Sequence, residues 1–331
     1  MSRIRSYLQL GVRPSSQTVP MGSFVSILRL GRRRVDILPA VFLLAFSYLC
    51  PPLLAAGGSS LERTVSFMAD DFRIVGTLTE PNSPEPSPIV VILHGMGGNR
   101  HGPTIRGTSV PLFRTVARNW AARGVASLTI STGGRGGSEG DYVDMTLERR
   151  VNEALAAIDW IVAQPKFDKE KISILGHSQG TLVAASAARR LKAQVPVQSV
   201  ILWAPQSNAL EVYKRSMGIK IYEKGLQSEQ NEIVSWYGVG GQLRKFKRAF
   251  FTGLRDFNAV MDIGAFGGPT LIVTGLRDRW SPSWRAAEFK ASGDQCTFLE
   301  FDVGHRMGAG IGPTAVDLMA RETLSWLLNL P

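Results

Sequence analysis

The sequence predicts an α/β protein: a mainly parallel central sheet, helices on both faces, and a helical insertion over one sheet edge. Three observations predict it. Short apolar runs alternate with amphipathic stretches from residue 61 onward. Most of those runs are apolar throughout, as strands buried on both faces must be. One stretch, residues 205–268, breaks the rhythm with no clear sheet strand.

In order, residues 61–69 and 72–79 read as a β-hairpin around Asp70 and Asp71. A polar, proline-rich loop, "PNSPEPSP", precedes an apolar strand at 89–93. Residues 111–123 read as a helix and 125–130 as a strand. Residues 145–164 are strongly amphipathic, with Val151, Leu155, Ile158 and Val162 on one face. A strand at 171–175 leads into an alanine-rich helix at 181–190, whose closing arginines suit a helix C-terminus. Residues 197–203, 269–274 and 297–301 are strands, and 283–292 and 313–328 are helices. The interruption at 205–268 reads as a cap on the C-terminal sheet edge. Its Trp236, Tyr237, Phe246, Phe250 and Phe251 either form the cap's own core or line an apolar pocket.

With 331 residues, 44% hydrophobic and 20% charged, the chain is globular in composition. The net charge of +11 is uneven: residues 1–56 carry seven arginines and one aspartate, leaving +5 for the rest. Nucleic acid is therefore not expected as a partner. The N-terminal charge belongs to a targeting pattern. Arginines at 29 and 32–34 precede an uncharged stretch at 37–61 that closes in small residues. Residues 1–56 are expected to be a secretory signal peptide, with Met21 as an alternative start. The twin arginines fit a Tat signal poorly because of Asp36, and "SYLC" fits a lipobox poorly. The alternative is an uncleaved membrane anchor, since the stretch is long enough to span a bilayer; Pro39, Pro51 and Pro52 oppose a regular helix there. Either way residues 57–331 are expected outside the membrane, periplasmic or secreted. Membrane contact is expected only if the segment stays attached. Of the two cysteines, Cys50 lies in this segment, so Cys296 has no partner for an internal disulfide after cleavage.

The chemistry is read from "GHSQG", residues 176–180. A serine on so tight a strand-to-helix turn takes a strained backbone conformation. Residues two before and two after it crowd together, and Gly176 and Gly180 stand at those places. Ser178 is the expected nucleophile. The base must be a histidine at a strand end, and among His94, His101, His177 and His305 only His305 also comes late in the chain. Asp278, just beyond the 269–274 strand, is the expected orienting acid, with Asp302 as its competitor. The oxyanion hole is expected from the backbone N–H groups of Gln179, which opens the elbow helix, and Met96, in the glycine-rich "HGMGGNRHG".

"HGMGG", "GHSQG", "GLRDRWSP" and "GHRM" occur in the order that resembles the α/β-hydrolase superfamily over residues 61–331. Within it the chain is most similar to the capped carboxylesterases of the cinnamoyl (feruloyl) esterase group. A further family block, D-x-R-G-x-G-x-S-x-G, reads "STGGRGGSEG" here, with Ser131 for the aspartate and Gly133 for the arginine. The resemblance implies an α/β-hydrolase fold and hydrolysis of a small-molecule carboxylic ester, with no metal or cofactor. A peptidase or amidase, a lipase, and a non-catalytic envelope module with a degenerate triad are the competing readings. The oligomeric state is not legible.

Overall fold

A computed structural model describes residues 59–238 and 240–331; the expected signal or anchor segment, 1–56, lies outside them. The strands are β1 (Ser60–Ala69), β2 (Phe72–Pro81), β3 (Ser87–Leu93), β4 (Ala126–Ile130), β5 (Phe167–His177), β6 (Val197–Trp203), β7 (Val234–Tyr237), β8 (Leu243–Phe246), β9 (Thr270–Gly275) and β10 (Cys296–Phe301). The helices are α1 (Leu112–Ala121), α2 (Leu147–Val162), α3 (Gln179–Leu191), α4 (Ala209–Met217), α5 (Ile219–Gln227), α6 (Arg248–Gly253), α7 (Ala259–Phe266) and α8 (Pro313–Leu328).

Eight strands form one sheet in the order β1-β2-β4-β3-β5-β6-β9-β10. The β1–β2 and β2–β4 pairs are antiparallel; β4 through β10 run parallel. This is the α/β-hydrolase fold. Alternation along the strands builds a core on each face. In β3, Ile89, Val91 and Leu93 enter one cluster with α2, α3 and α7, while Val90 and Ile92 enter the other with α1 and α8. Full burial of each such side chain is worth about 1.5–3 kcal/mol. On the second face the indole N–H of Trp120 donates to the carbonyl of Ala320 at 2.8 Å, locking α1 to α8.

Register sets the site. Leu93 lies beside Gly176, His177 beside Trp203, Trp203 beside Val273, and Gly275 beside Phe301. The C-terminal ends of five parallel strands thus finish in one line, and the loops that follow emerge together.

Four elements differ from expectation. The elbow strand starts at Phe167, because the charged run Asp168–Lys171 extends it with mostly exposed side chains. The face that α2 buries holds Leu147, Arg150, Val151, Glu153, Ala154, Ala157, Ile158 and Ile161, with Leu155 and Val162 only part-buried. Residues Ser283–Ser292 are 3₁₀ rather than α-helical. The stretch between β6 and β9 contains helices α4–α7 and a separate antiparallel hairpin, β7–β8. Its last helix, α7, joins the core against the sheet's helical layer.

Candidate active site

Ser178 is the N-cap of α3, with φ 54° and ψ −120°. Few non-glycine residues adopt such a backbone, and it is kept only where the surroundings enforce it. They do so here. A side chain at Gly176 would strike the carbonyl of Gly180, and one at Gly180 would strike the carbonyl of Leu93 at the end of β3. The amide of Ser178 donates to the carbonyl of Trp203 (2.9 Å), and its own carbonyl accepts from Thr181 Oγ1 (2.6 Å).

The structure brings the three expected side chains together. His305 Nε2 lies 2.9 Å from Ser178 Oγ, and His305 Nδ1 lies 2.8 Å from Asp278 Oδ2. Asp278 is wholly buried at its side chain. Its other oxygen accepts the amides of Trp280 (2.8 Å) and Ser281 (3.0 Å), which fix the carboxylate's orientation. With Nδ1–H donated to Asp278, the lone pair of Nε2 faces the serine hydroxyl, the tautomer a general base requires. Trp280 also covers the imidazole, with ring centroids 5.1 Å apart and planes inclined 27°. The competing acid, Asp302, forms an exposed ion pair with Arg277 instead.

His177 and His94 have other partners. The Nε2 of His177 donates to the carbonyl of His305 at 2.9 Å, so the elbow holds the loop that carries the base. Burial, reinforced by the nearby His305, pushes the His177 pKa down to about 4. His94 accepts the Thr132 amide at Nε2 (3.2 Å) and donates from Nδ1 to the carbonyl of Gly95 (2.7 Å). Burial and the neighbouring Arg150 hold its pKa well below the ordinary histidine range.

The loop after β3 runs against the nucleophile: a Cβ built on Gly95 would lie 3.1 Å from the Ser178 Cβ. Met96 follows Gly95 directly. Gln179 is the first residue of α3, where amides have no intrahelical acceptor. Beneath both lies a residue that sequence reasoning missed. Arg150 of α2 is 3% exposed. It donates from Nη1 to the Gln179 side-chain oxygen and from Nη2 to the carbonyl of His94, each at 2.7 Å. The Gln179 amide nitrogen continues to Tyr213 Oη (2.7 Å) in α4. One guanidinium thus ties the start of the elbow helix to the end of β3.

The substituted block is repaired from α2. The Gly133 amide donates to Glu153 Oε1 (2.8 Å), and Thr132 Oγ1 donates to Glu153 Oε2 (2.5 Å). The Arg149 guanidinium fills the place where a side chain at 133 would begin, and it lies over the Phe72 ring at 4.0 Å. An arginine from a different element thus stands against position 133. Burial raises the Glu153 pKa, opposed by its bonds to Thr132 and Gly133.

Residues 70–236, just over half of the chain, match the family model described as X-Pro dipeptidyl-peptidase (S15 family). The chain belongs to that family. Over 219 residues this S15 chain is 27% identical to the esterase EstD of Thermotoga maritima, covering 61% of itself and 49% of EstD. It therefore spans about half the length of that curated relative. Among solved structures it resembles Est1E of Butyrivibrio proteoclasticus with ferulic acid bound, at TM-score 0.66 and 21% identity, over 80% of this chain and 98% of that one. It also resembles a hydrolase of Agrobacterium vitis S4, at TM-score 0.61 and 20% identity, over 82% and 99%. These likenesses agree with the α/β-hydrolase resemblance of the motifs. Family and likenesses agree on the α/β-hydrolase class for the S15 chain.

Proposed function

We propose that this chain hydrolyses a small-molecule carboxylic ester through Ser178, His305 and Asp278. Ser178 Oγ attacks the carbonyl carbon while His305 Nε2 takes the hydroxyl proton. The carbonyl becomes an oxyanion, held by the Met96 and Gln179 amides. Collapse breaks the bond to the alcohol oxygen, which receives the proton from His305 and leaves, and the acyl group stays on Ser178. A water molecule, deprotonated by His305, repeats the sequence on the acyl-enzyme and frees the acid and Ser178. Asp278 holds the imidazole and balances its transient positive charge. The observation that carries this reading is the unbroken hydrogen-bonded line Asp278–His305–Ser178, at 2.8 and 2.9 Å, ending on a serine held at φ 54°.

Ester rather than peptide cleavage is favoured by the identity with EstD and by charge. A dipeptidyl-peptidase substrate presents an α-ammonium group. The loop beside Ser178 is flanked by the guanidiniums of Arg135 and Arg244, which repel one. The deciding test is a panel of p-nitrophenyl esters of rising chain length beside an aminoacyl-prolyl anilide. Ester turnover that falls on the order of 10⁴-fold or more in a folded Ser178→Ala variant is expected. Anilide turnover that exceeds ester turnover would assign the chain to the peptidases. We also propose export, with a mature N-terminus between residues 57 and 61; mass spectrometry of the exported fraction tests it, and an intact N-terminus in the membrane fraction overturns it.

A further inference from the structure

Two cations flank the loop that follows β3, and neither has an acidic partner. Gly97 stands at φ 71°. Its amide donates to Tyr142 Oη at 2.7 Å, and its carbonyl accepts from Arg135 Nη2. The Arg135 guanidinium lies 4.8 Å above the Tyr142 ring. Arg244, on β8 of the inserted hairpin, also lays Nη1 against Gly97 where a side chain would begin. Gly95, two residues earlier, packs against Ser178. Consecutive Cα atoms are about 3.8 Å apart, so Gly97, which both guanidiniums contact, is at most roughly 7.6 Å along the chain from the residue that packs on the nucleophile.

The surrounding acids are otherwise engaged. Asp278 holds His305, Glu153 holds Thr132 and Gly133, Asp144 pairs with Lys247 at 2.6 Å, and Asp141 accepts the Val143 amide. Among the described residues, Arg135 and Arg244 have no carboxylate within 4.0 Å. Arg244 donates only to the Gln242 side chain (2.5 Å), and Arg135 only to the carbonyls of Gly97 and Gly98. Arg150, buried beneath the same loop, adds a third positive charge. Half-buried guanidiniums with free N–H groups bind planar oxyanions in a bidentate way that neutral groups cannot match.

We infer that the ester this site hydrolyses carries a carboxylate a few bonds from its scissile carbonyl, bound by Arg244 and Arg135. The inference rests on the ester-hydrolase reading and adds the charge of the substrate. It also gives the inserted segment a chemical task, since Arg244, on its hairpin, touches the loop beside the nucleophile. Both arginines lie within 4 Å of where a side chain at Gly97 would begin, so a carboxylate there meets donors from the loop after β4 and from the hairpin.

Matched ester pairs test it. Mono-p-nitrophenyl adipate against p-nitrophenyl hexanoate places the charge on the acyl side. 4-Butyryloxybenzoate against phenyl butyrate places it on the alcohol side. In at least one pair the anionic member is expected to have about tenfold higher kcat/KM, shrinking as NaCl is raised. Arg244→Gln, on an exposed hairpin arm, is expected to lower that ratio about tenfold; Arg135→Gln tests the second donor. A ratio near one in both pairs, or one unmoved by either substitution, overturns the inference while leaving ester hydrolysis standing. If no ester is hydrolysed, the catalytic reading has failed, and the charge is read separately. Adipate at millimolar concentration should raise the Tm of Ser178→Ala, and Arg244→Gln should abolish the rise; no rise overturns the anion site.

Discussion

Along the sheet edge the chemical groups are set by backbone; in the insertion they are set by side-chain packing. Ser178 is held by its own strained φ, by glycines that leave no room for a Cβ, and by amide bonds to neighbouring strands. The insertion leans more on side chains. It is organised by an aromatic cluster in which Phe246 stacks on Phe250 with centroids 4.3 Å apart, and Trp236, Phe251 and Tyr213 lie within 6.0 Å of Phe250. A backbone-built site changes little without loss of the fold, whereas a packed cluster tolerates exchange of similar volumes. On the proposed reading the difference separates the bond broken, set at the edge, from the molecule chosen, set in part by Arg244 of the hairpin arm.

The largest effect expected tests the edge. Asp278→Asn should lower kcat on the order of 10⁴-fold, because the amide favours the wrong imidazole tautomer. Asp302→Asn removes only an exposed ion pair, and exposed pairs contribute little. Steady-state kinetics of the two variants rank the acids, and a larger loss in Asp302→Asn would show that the acid has been misassigned.

Next in size is a change in the insertion. Phe250 is 2% exposed at the centre of the aromatic cluster. Phe250→Ala should cost about 3–5 kcal/mol. The cluster is continuous with the core under the sheet, so urea unfolding should remain one transition with a lower midpoint. A separate early transition would mean that the insertion unfolds on its own and that the contrast between the two regions is also one of cooperativity.

A third variant probes the junction. In Arg150→Lys the charge stays but the fork is lost, so one of Gln179 Oε1 and the His94 carbonyl loses its donor. Arg150 holds Gln179 and the end of β3, next to the amides proposed for the oxyanion hole, so kcat should fall about 10²-fold with KM little changed. A rise in KM at constant kcat would instead mark Arg150 as a residue that shapes substrate binding.

Much of the edge was legible in the sequence because its signals are local. Gly176, Ser178 and Gly180 announce a tight turn, and Asp278 and His305 each follow an apolar strand within a few residues. Arg150 and Glu153 escaped for a physical reason. Charged residues on an amphipathic helix normally face water, and the apolar positions Leu155 and Val162 pulled the expected face round. Burying Arg150 and Glu153 is tolerable only because His94, Gln179, Thr132 and Gly133 satisfy them, and those partners lie on other elements. The contact of Arg149 with Gly133 is hidden for the same reason, since it joins positions in space and not in sequence. In the insertion, Trp236, Phe246, Phe250 and Phe251 took the core alternative, while Tyr237 is 74% exposed.

The smallest effect concerns the hydrogen bond from the elbow to the base's loop. His177 must be neutral in the folded state, because burial and His305 push its pKa to about 4, whereas an unfolded histidine titrates at about 6.5. Between those values the unfolded chain binds one more proton than the folded chain. Stability therefore falls as pH drops through that window, by about 1.4 kcal/mol per pH unit for this group, and is independent of the group above it. His94, shifted in the same direction, adds a slope of the same sign. His177→Gln keeps a donor within reach of the His305 carbonyl and cannot titrate. Urea midpoints measured from pH 7 to pH 4.5 should show a shallower decline in His177→Gln than in the parent, by about one proton, with the two proteins converging on a constant difference near pH 7. Equal slopes would mean that His177 titrates in the folded protein as it does in the unfolded chain, and that burial does not hold it neutral.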